Sequence, residues 1–186
     1  MLLMDREKLE TELFLQQQLN LGFKPKWFIT YHLFNPTENK LKSNKSVWKT
    51  IPYYNHYTNR RNDYDCIVED TSQIKNIILK YLYGIKRLNQ TWKYDFPNLF
   101  FFHELGIGAQ YHTHLLMPEC NYENLQVLEF IWNHKLKKKR KCFSKYKIHI
   151  REIDNPKIAL DYVNKETSAK HNSLDYSNSH FILPNI

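Results

Sequence analysis

The chain has 186 residues, enough for one domain with some elaboration and too few for two full ones. Lys and Arg total 27 against 19 Asp and Glu, a formal charge of +8, and there are 13 Tyr, 11 Phe and 4 Trp beside only 4 Gly. At 42% hydrophobic and 25% charged the composition excludes a mainly disordered chain, and a glycine share of roughly 2% against the usual ~7% argues against an all-β sandwich or barrel.

In chain order, residues 5–20 (DREKLETELFLQQQLN) read as a helix, with Asp5 as N-cap and Gly22 just past the end. WFITYHLF, residues 27–34, is an aromatic and β-branched run closed by Asn35-Pro36 and reads as a strand. Between Thr37 and Asp70 the chain is polar, and the only expected element is a short strand near Cys66 to Val68. From Thr71, Ile74, Ile77, Ile78, Tyr81, Leu82, Ile85 and Leu88 recur at the spacing of an amphipathic helix.

LFFFHEL (99–105) and QYHTHLLM (110–117) form a predicted hairpin about Gly106-Ile107-Gly108. A helix is expected from Tyr122 to about Lys138. In residues 146–153, Tyr146, Ile148 and Ile150 alternate with Lys147, His149 and Arg151, as in a half-buried strand. Pro156 sits where a last helix can begin, and the polar tail after Lys170 is expected to fray, apart from Phe181 to Pro184. The expected fold is α+β: a central antiparallel sheet with helices packed on it, whose β-α-β-β-α-β core is ferredoxin-like or RRM-like. The corresponding division is an N-terminal helix over 1–22, a domain over 23–170 and a tail over 171–186.

Residue chemistry narrows the function. Cys66, Cys120 and Cys142 are widely spaced, with no C-x-x-C pair, so neither a disulfide framework nor a zinc knuckle is indicated. His112 and His114, two apart on a strand, present their rings on one face. Glu104 on the preceding strand falls opposite His112 or one diagonal step away, completing two imidazoles and a carboxylate with coordination positions left open. Two histidines satisfied by hydrogen bonds on a sheet face are the plainer alternative, and a non-haem iron triad shares the ligand types. A cupin motif also fits Gly106 to Glu119 in part, but no glycine follows Gly108, and a jelly roll lacks these helices.

Tyr162 and Lys165 lie on neighbouring parts of one helix face. A tyrosine packed beside Ile158, Ala159 and Val163 is one reading; a nucleophilic hydroxyl with an ammonium to favour its phenolate is the other, with Tyr176 as fallback. The densest charge is HKLKKKRK, where Lys137, Lys138, Lys139, Arg140 and Lys141 are followed by Lys147 and Arg151. It suits phosphate contact, a solvated helix end or a nuclear-localisation signal. Arg60 and Arg61 beside Tyr53, Tyr54, Tyr57 and Tyr64 suggest a second place for phosphate and stacked bases.

Three motifs then carry a resemblance. WFITY (27–31), Glu104 with His112-Thr-His114, and Tyr162-Val-Asn-Lys165 occur in the order found in the HUH endonuclease superfamily, and the chain resembles the nuclease domain of its rolling-circle replication initiators over roughly residues 26–166. The resemblance implies a site-specific single-strand DNA endonuclease: Mg²⁺ or Mn²⁺ at Glu104, His112 and His114, and Tyr162 as the nucleophile that becomes a 5′-phosphotyrosine. Lys165 would orient the tyrosine or the phosphate. Thr113 stands between the histidines and should point away from the metal. Glu166 leaves no second tyrosine one turn on, so the single-tyrosine type is implied.

No G-x-x-x-x-G-K-[ST] helicase motif occurs, so a host helicase and polymerase are expected partners at a single-stranded, possibly hairpin, origin of a plasmid, phage or small virus. The expected location is the bacterial cytoplasm, or the host nucleus for a virus of eukaryotes, with no membrane partner. A single-tyrosine transposase or relaxase shares the metal pair. A non-catalytic RRM-like module would instead stack bases on Phe100, Phe102 and Tyr111.

Overall fold

The computed structural model describes residues 3–31, 54–55, 60–61, 64–85, 97–105, 111–120, 122–130, 148–165 and 173–182. The elements are α1 (Leu3–Asn20), β1 (Pro25–Tyr31), β2 (Tyr54–Asn55), β3 (Arg60–Arg61), α2 (Tyr64–Leu82), β4 (Phe100–Leu105), β5 (Tyr111–Pro118), α3 (Tyr122–Phe130), β6 (His149–Glu152) and α4 (Pro156–Val163). The class is α+β. A four-stranded sheet of order β4-β5-β1-β6 has every pairing antiparallel. With α2 and α3 in the two crossovers, this is the strand order of the β-α-β-β-α-β arrangement. A separate ribbon pairs β2 with β3.

Strand alternation sorts the side chains onto two faces. Ile29, Tyr31, Phe101, Leu115 and Met117 point one way and pack with Ile74, Ile78, Leu79 and Leu82 of α2 and Leu125 and Leu128 of α3. Phe100, Phe102 and Leu116 point the other way and pack with Leu15 of α1, Leu160 and Val163 of α4, and Leu174. The sheet is therefore covered on both sides, and each fully buried apolar side chain contributes roughly 1.5–3 kcal/mol relative to exposure.

Local chemistry sets the helix ends. α1 stops in a Schellman motif, with Phe23 N–H donating to Gln18 and Gly22 N–H to Leu19, and with Gly22 at φ 103, a conformation that suits glycine. α4 starts where the Asn155 side chain accepts from the N–H groups of Lys157 and Ile158, with Pro156 in the first turn.

Two expectations are corrected. Cys66 to Val68 is helical, inside α2: the buried line of Thr71, Ile74, Ile78 and Leu82 continues one amphipathic helix, and tertiary packing overrides the β-preference of a short branched run. The tail is ordered over 173–180, where fraying is expected, as well as at Phe181 and Ile182. It lies along the outer edge of β4, where His103 N–H donates to the Ser173 carbonyl, Asp175 N–H to Phe101 and His180 N–H to Leu99. An unpaired sheet edge needs a cover, and this strap supplies it.

Smaller differences concern boundaries. α1 begins at Leu3 and not at an Asp5 cap, and Tyr81, counted in the apolar stripe, is 40% exposed. The turn at Gly106-Ile107-Gly108, the helix beyond Phe130 and the basic run from Lys137 to Lys141 with Lys147 lie outside the described residues. Among the described residues no helix is long and apolar enough to cross a membrane.

Candidate active site

The register of β4 on β5 pairs Glu104 directly with His112, the closer of the two expected arrangements, and Phe102 with His114. The Nε2 atoms of His112 and His114 lie 3.2 and 2.9 Å from the same oxygen, Glu104 Oε2. One ligand atom from each of the three residues lies within 4.8 Å of the other two. Two imidazole nitrogens and a carboxylate oxygen so gathered, with Glu104 and His112 half-buried and His114 buried, can hold a metal ion. They suit a divalent cation that keeps coordination positions for a substrate.

The charge states agree with that use. The hydrogen bond from His114 holds the Glu104 carboxyl down, to about 2, against the opposing effect of burial, and Lys165 and His112 add to it. Burial, then the neighbouring His114, lowers the His112 pKa, which favours the neutral imidazole that a metal requires.

The third imidazole contact comes from β1. Thr30 pairs with His114 across the strands, and its Oγ1 lies 2.9 Å from His114 Nδ1. A hydroxyl both donates and accepts, so Thr30 serves either tautomer of the ring: it donates when Nε2–H faces Glu104, and accepts from Nδ1–H when Nε2 turns its lone pair to a metal. Thr30 stands in the WFITY motif, yet sequence reasoning gave it no role, because its contact depends on strand register. Thr113 points to the opposite face, as expected, with Oγ1 2.9 Å from His103 Nδ1.

α4 closes over the metal group. The ring of Tyr162 lies 5.6 Å from that of His114 and 5.8 Å from that of Phe28, edge-on to both, and Tyr162 is 47% exposed. Lys165, just past the helix, puts Nζ 3.0 Å from Glu104 Oε1 and 3.9 Å from the centre of the Tyr162 ring. Burial acts to lower the Lys165 pKa, but its interactions with Glu104 and Tyr162 outweigh that and raise it. One ammonium therefore joins the Glu104 carboxylate to the tyrosine. Tyr176 has other company: its ring neighbours are Phe14 at 6.0 Å and Phe181 at 5.8 Å.

Of the residues expected to bind DNA, Arg151 lines a cleft that also includes His112, His114 and Tyr162. Arg60 and Arg61 form β3 of the separate ribbon. Lys137, Lys138, Lys139, Arg140, Lys141 and Lys147 lie outside the described residues. The stacking platform of an RRM-like module is not available at Phe100 and Phe102, which are both 0% exposed beneath α1, α4 and Leu174. No family model, curated protein or solved structure matches this chain.

Proposed function

We propose that the protein is a metal-dependent single-strand DNA endonuclease of the HUH type, which nicks and rejoins strands through Tyr162 to start rolling-circle replication of a small replicon. The observation that carries this reading is the convergence on one sheet face of Glu104, His112 and His114 with Tyr162 and Lys165. A buried structural tyrosine would not need to stand half exposed beside a histidine pair and a lysine.

Glu104, His112 and His114 would hold Mg²⁺ or Mn²⁺. When bound, such an ion supplies Lewis-acid polarisation of a phosphate oxygen and offsets the charge that grows in the transition state. The chain's own residues do the rest. Tyr162 Oη forms a bond to the scissile phosphorus as the bond from phosphorus to the 3′ oxygen breaks. The phenol gives up its proton and the departing 3′ oxygen gains one, leaving a 5′-phosphotyrosine and a free 3′-OH. Lys165, over the face of the tyrosine ring and tied to Glu104, keeps the nucleophile beside the metal group. The ester retains the phosphodiester's energy, so reversal by an incoming 3′-OH rejoins strands without ATP.

The test is incubation with a pool of random-sequence single-stranded oligonucleotides and Mn²⁺. The reading expects cleaved strands and a denaturation-resistant adduct, both lost with chelator and in His112→Ala. Cleavage that survives chelation, or equal cleavage by His112→Ala, would overturn it.

A further inference from the structure

A cleft of about 650 Å³ runs from the metal group to the edge of the sheet, between β6 and α4. Strand register builds one side: Thr30 pairs with His149 and Phe28 with Arg151, so His149 and Arg151 share the face that carries His114. α4 builds the other. Ile158 and Tyr162, one turn apart, are 65% and 47% exposed, and with Phe28 and Ala159 they line the cleft. Ile158 is thus a large apolar side chain left in water on the wall of a concave site, one helical turn from the proposed nucleophile.

The rim is mixed in charge, and the mixture is informative. Arg151 offers a fixed fork of donors suited to phosphate. Glu152 forms an ion pair with Lys26, and Asp154, which also feels the Lys26 charge, adds a second carboxylate to the lining. Carboxylates would repel a ligand that was only phosphate, and a purely apolar ligand would leave Arg151 without a partner. A nucleotide meets both demands, because its flat base covers the apolar wall, its phosphate faces the guanidinium and an exocyclic amine on the base donates to the carboxylate. The volume is within the range of small-molecule pockets.

We propose that this cleft is a nucleobase pocket beside the reacting phosphate, and that Asp154 makes it select bases carrying an exocyclic amine over thymine. The inference rests on the nuclease reading for the place of the reacting phosphate, but its test needs neither metal nor cleavage. The full chain, with ¹³C-labelled isoleucine methyl groups, is titrated with dCMP, dAMP, dGMP and dTMP in the millimolar range.

The Ile158 and Ile153 methyl signals are expected to shift with at least one amine-bearing nucleotide, several-fold more tightly than with dTMP, while Ile29 in the opposite core stays unmoved. Asp154→Asn should remove the preference, and Ile158→Asp should weaken binding roughly tenfold or more, as loss of a stacking wall does. Unmoved Ile158 signals with all four nucleotides, dTMP binding as tightly as the others, or undiminished binding by Ile158→Asp would each overturn the proposal. Absence of a covalent adduct in the separate cleavage assay would instead overturn the nuclease reading, so the two failures are told apart.

Discussion

Two histidine–carboxylate clusters sit back to back across the central sheet, one residue out of step. His103 and Thr113 alternate with Glu104 and His114 along paired strands, so the first two project from one face and the second two from the other. On the first face His103 is closed in: Nδ1 lies 2.9 Å from Thr113 Oγ1, Nε2 lies 2.9 Å from Asp175 Oδ2, and the ring is 0% exposed. Asp175 in turn takes hydrogen bonds from Asn178, whose side chain also donates to the Val68 carbonyl in α2. On the second face His112 and His114 aim at one carboxylate oxygen beside a half-exposed tyrosine and an open cleft.

The same side-chain chemistry thus serves two ends. Where every polar atom of the pair is met inside the protein, the cluster fastens the tail strap to the sheet. Where the ring nitrogens share one acceptor and solvent can enter, the cluster is ready for a cation. Satisfaction and access separate the two, and residue type does not.

Paired substitutions break the comparison most sharply. His112→Ala should lower metal affinity by more than about a hundredfold, beyond what loss of an outer partner costs, with little change in unfolding midpoint. His103→Ala should do the reverse: about 3–5 kcal/mol of stability lost, because a buried carboxylate loses its imidazole partner and a buried ring is removed, with metal affinity in the surviving folded fraction little changed. Calorimetric metal titration alongside denaturant unfolding reads both.

A pH series sharpens the closed side. Burial alone would raise the Asp175 pKa, but hydrogen bonds from His103 and Asn178 outweigh it and hold the group below its ordinary 3.8. A carboxyl depressed in the folded state contributes stability that is fully present above the unfolded value and is lost as the pH falls through the folded one. The stability gap between wild type and Asp175→Asn should therefore be widest near neutrality and narrow below about pH 4. A gap constant with pH would show that the carboxylate charge is not what secures the strap.

Smaller effects probe the open side and a control. Thr30→Val should cost about 10- to 100-fold in metal affinity by removing the partner of His114 Nδ1, and Thr30→Ser should restore most of it. The ¹⁵N shifts of the His114 ring in the apo protein should also move in the valine variant, a change that loose packing alone would not produce. Gly22→Ala, at a left-handed position far from either cluster, should lose about 1 kcal/mol and leave metal binding untouched.

The legible parts of this molecule were those written in side-chain periodicity. The stripe from Ile74 to Leu82 and the alternation from Ile148 to Arg151 place their elements, and the spacing of Glu104, His112 and His114 places the metal group once the hairpin is assumed. Tyr162 and Lys165 meet that group through topology, which a helix-face reading alone leaves open.

The strap at 173–182 was hidden because it joins the sheet by backbone hydrogen bonds, and Ser173, Asp175 and Asn178 are buried polar residues that read in sequence as solvent-facing. The first turns of α2 were hidden by a branched run that favours strand when read locally. Thr30 and the β6–α4 cleft depend on which strands are neighbours, information that no single segment carries.

The central claim is that Tyr162 becomes joined to DNA at the open cluster. It is tested most directly by trapping the Mn²⁺-dependent adduct from a pool of random single strands, digesting it with protease and nuclease, and locating the phosphate-linked peptide by mass spectrometry. The account predicts a nucleotide on Tyr162 and no adduct from Tyr162→Phe. A nucleotide on Tyr176, or an undiminished adduct from Tyr162→Phe, would contradict it.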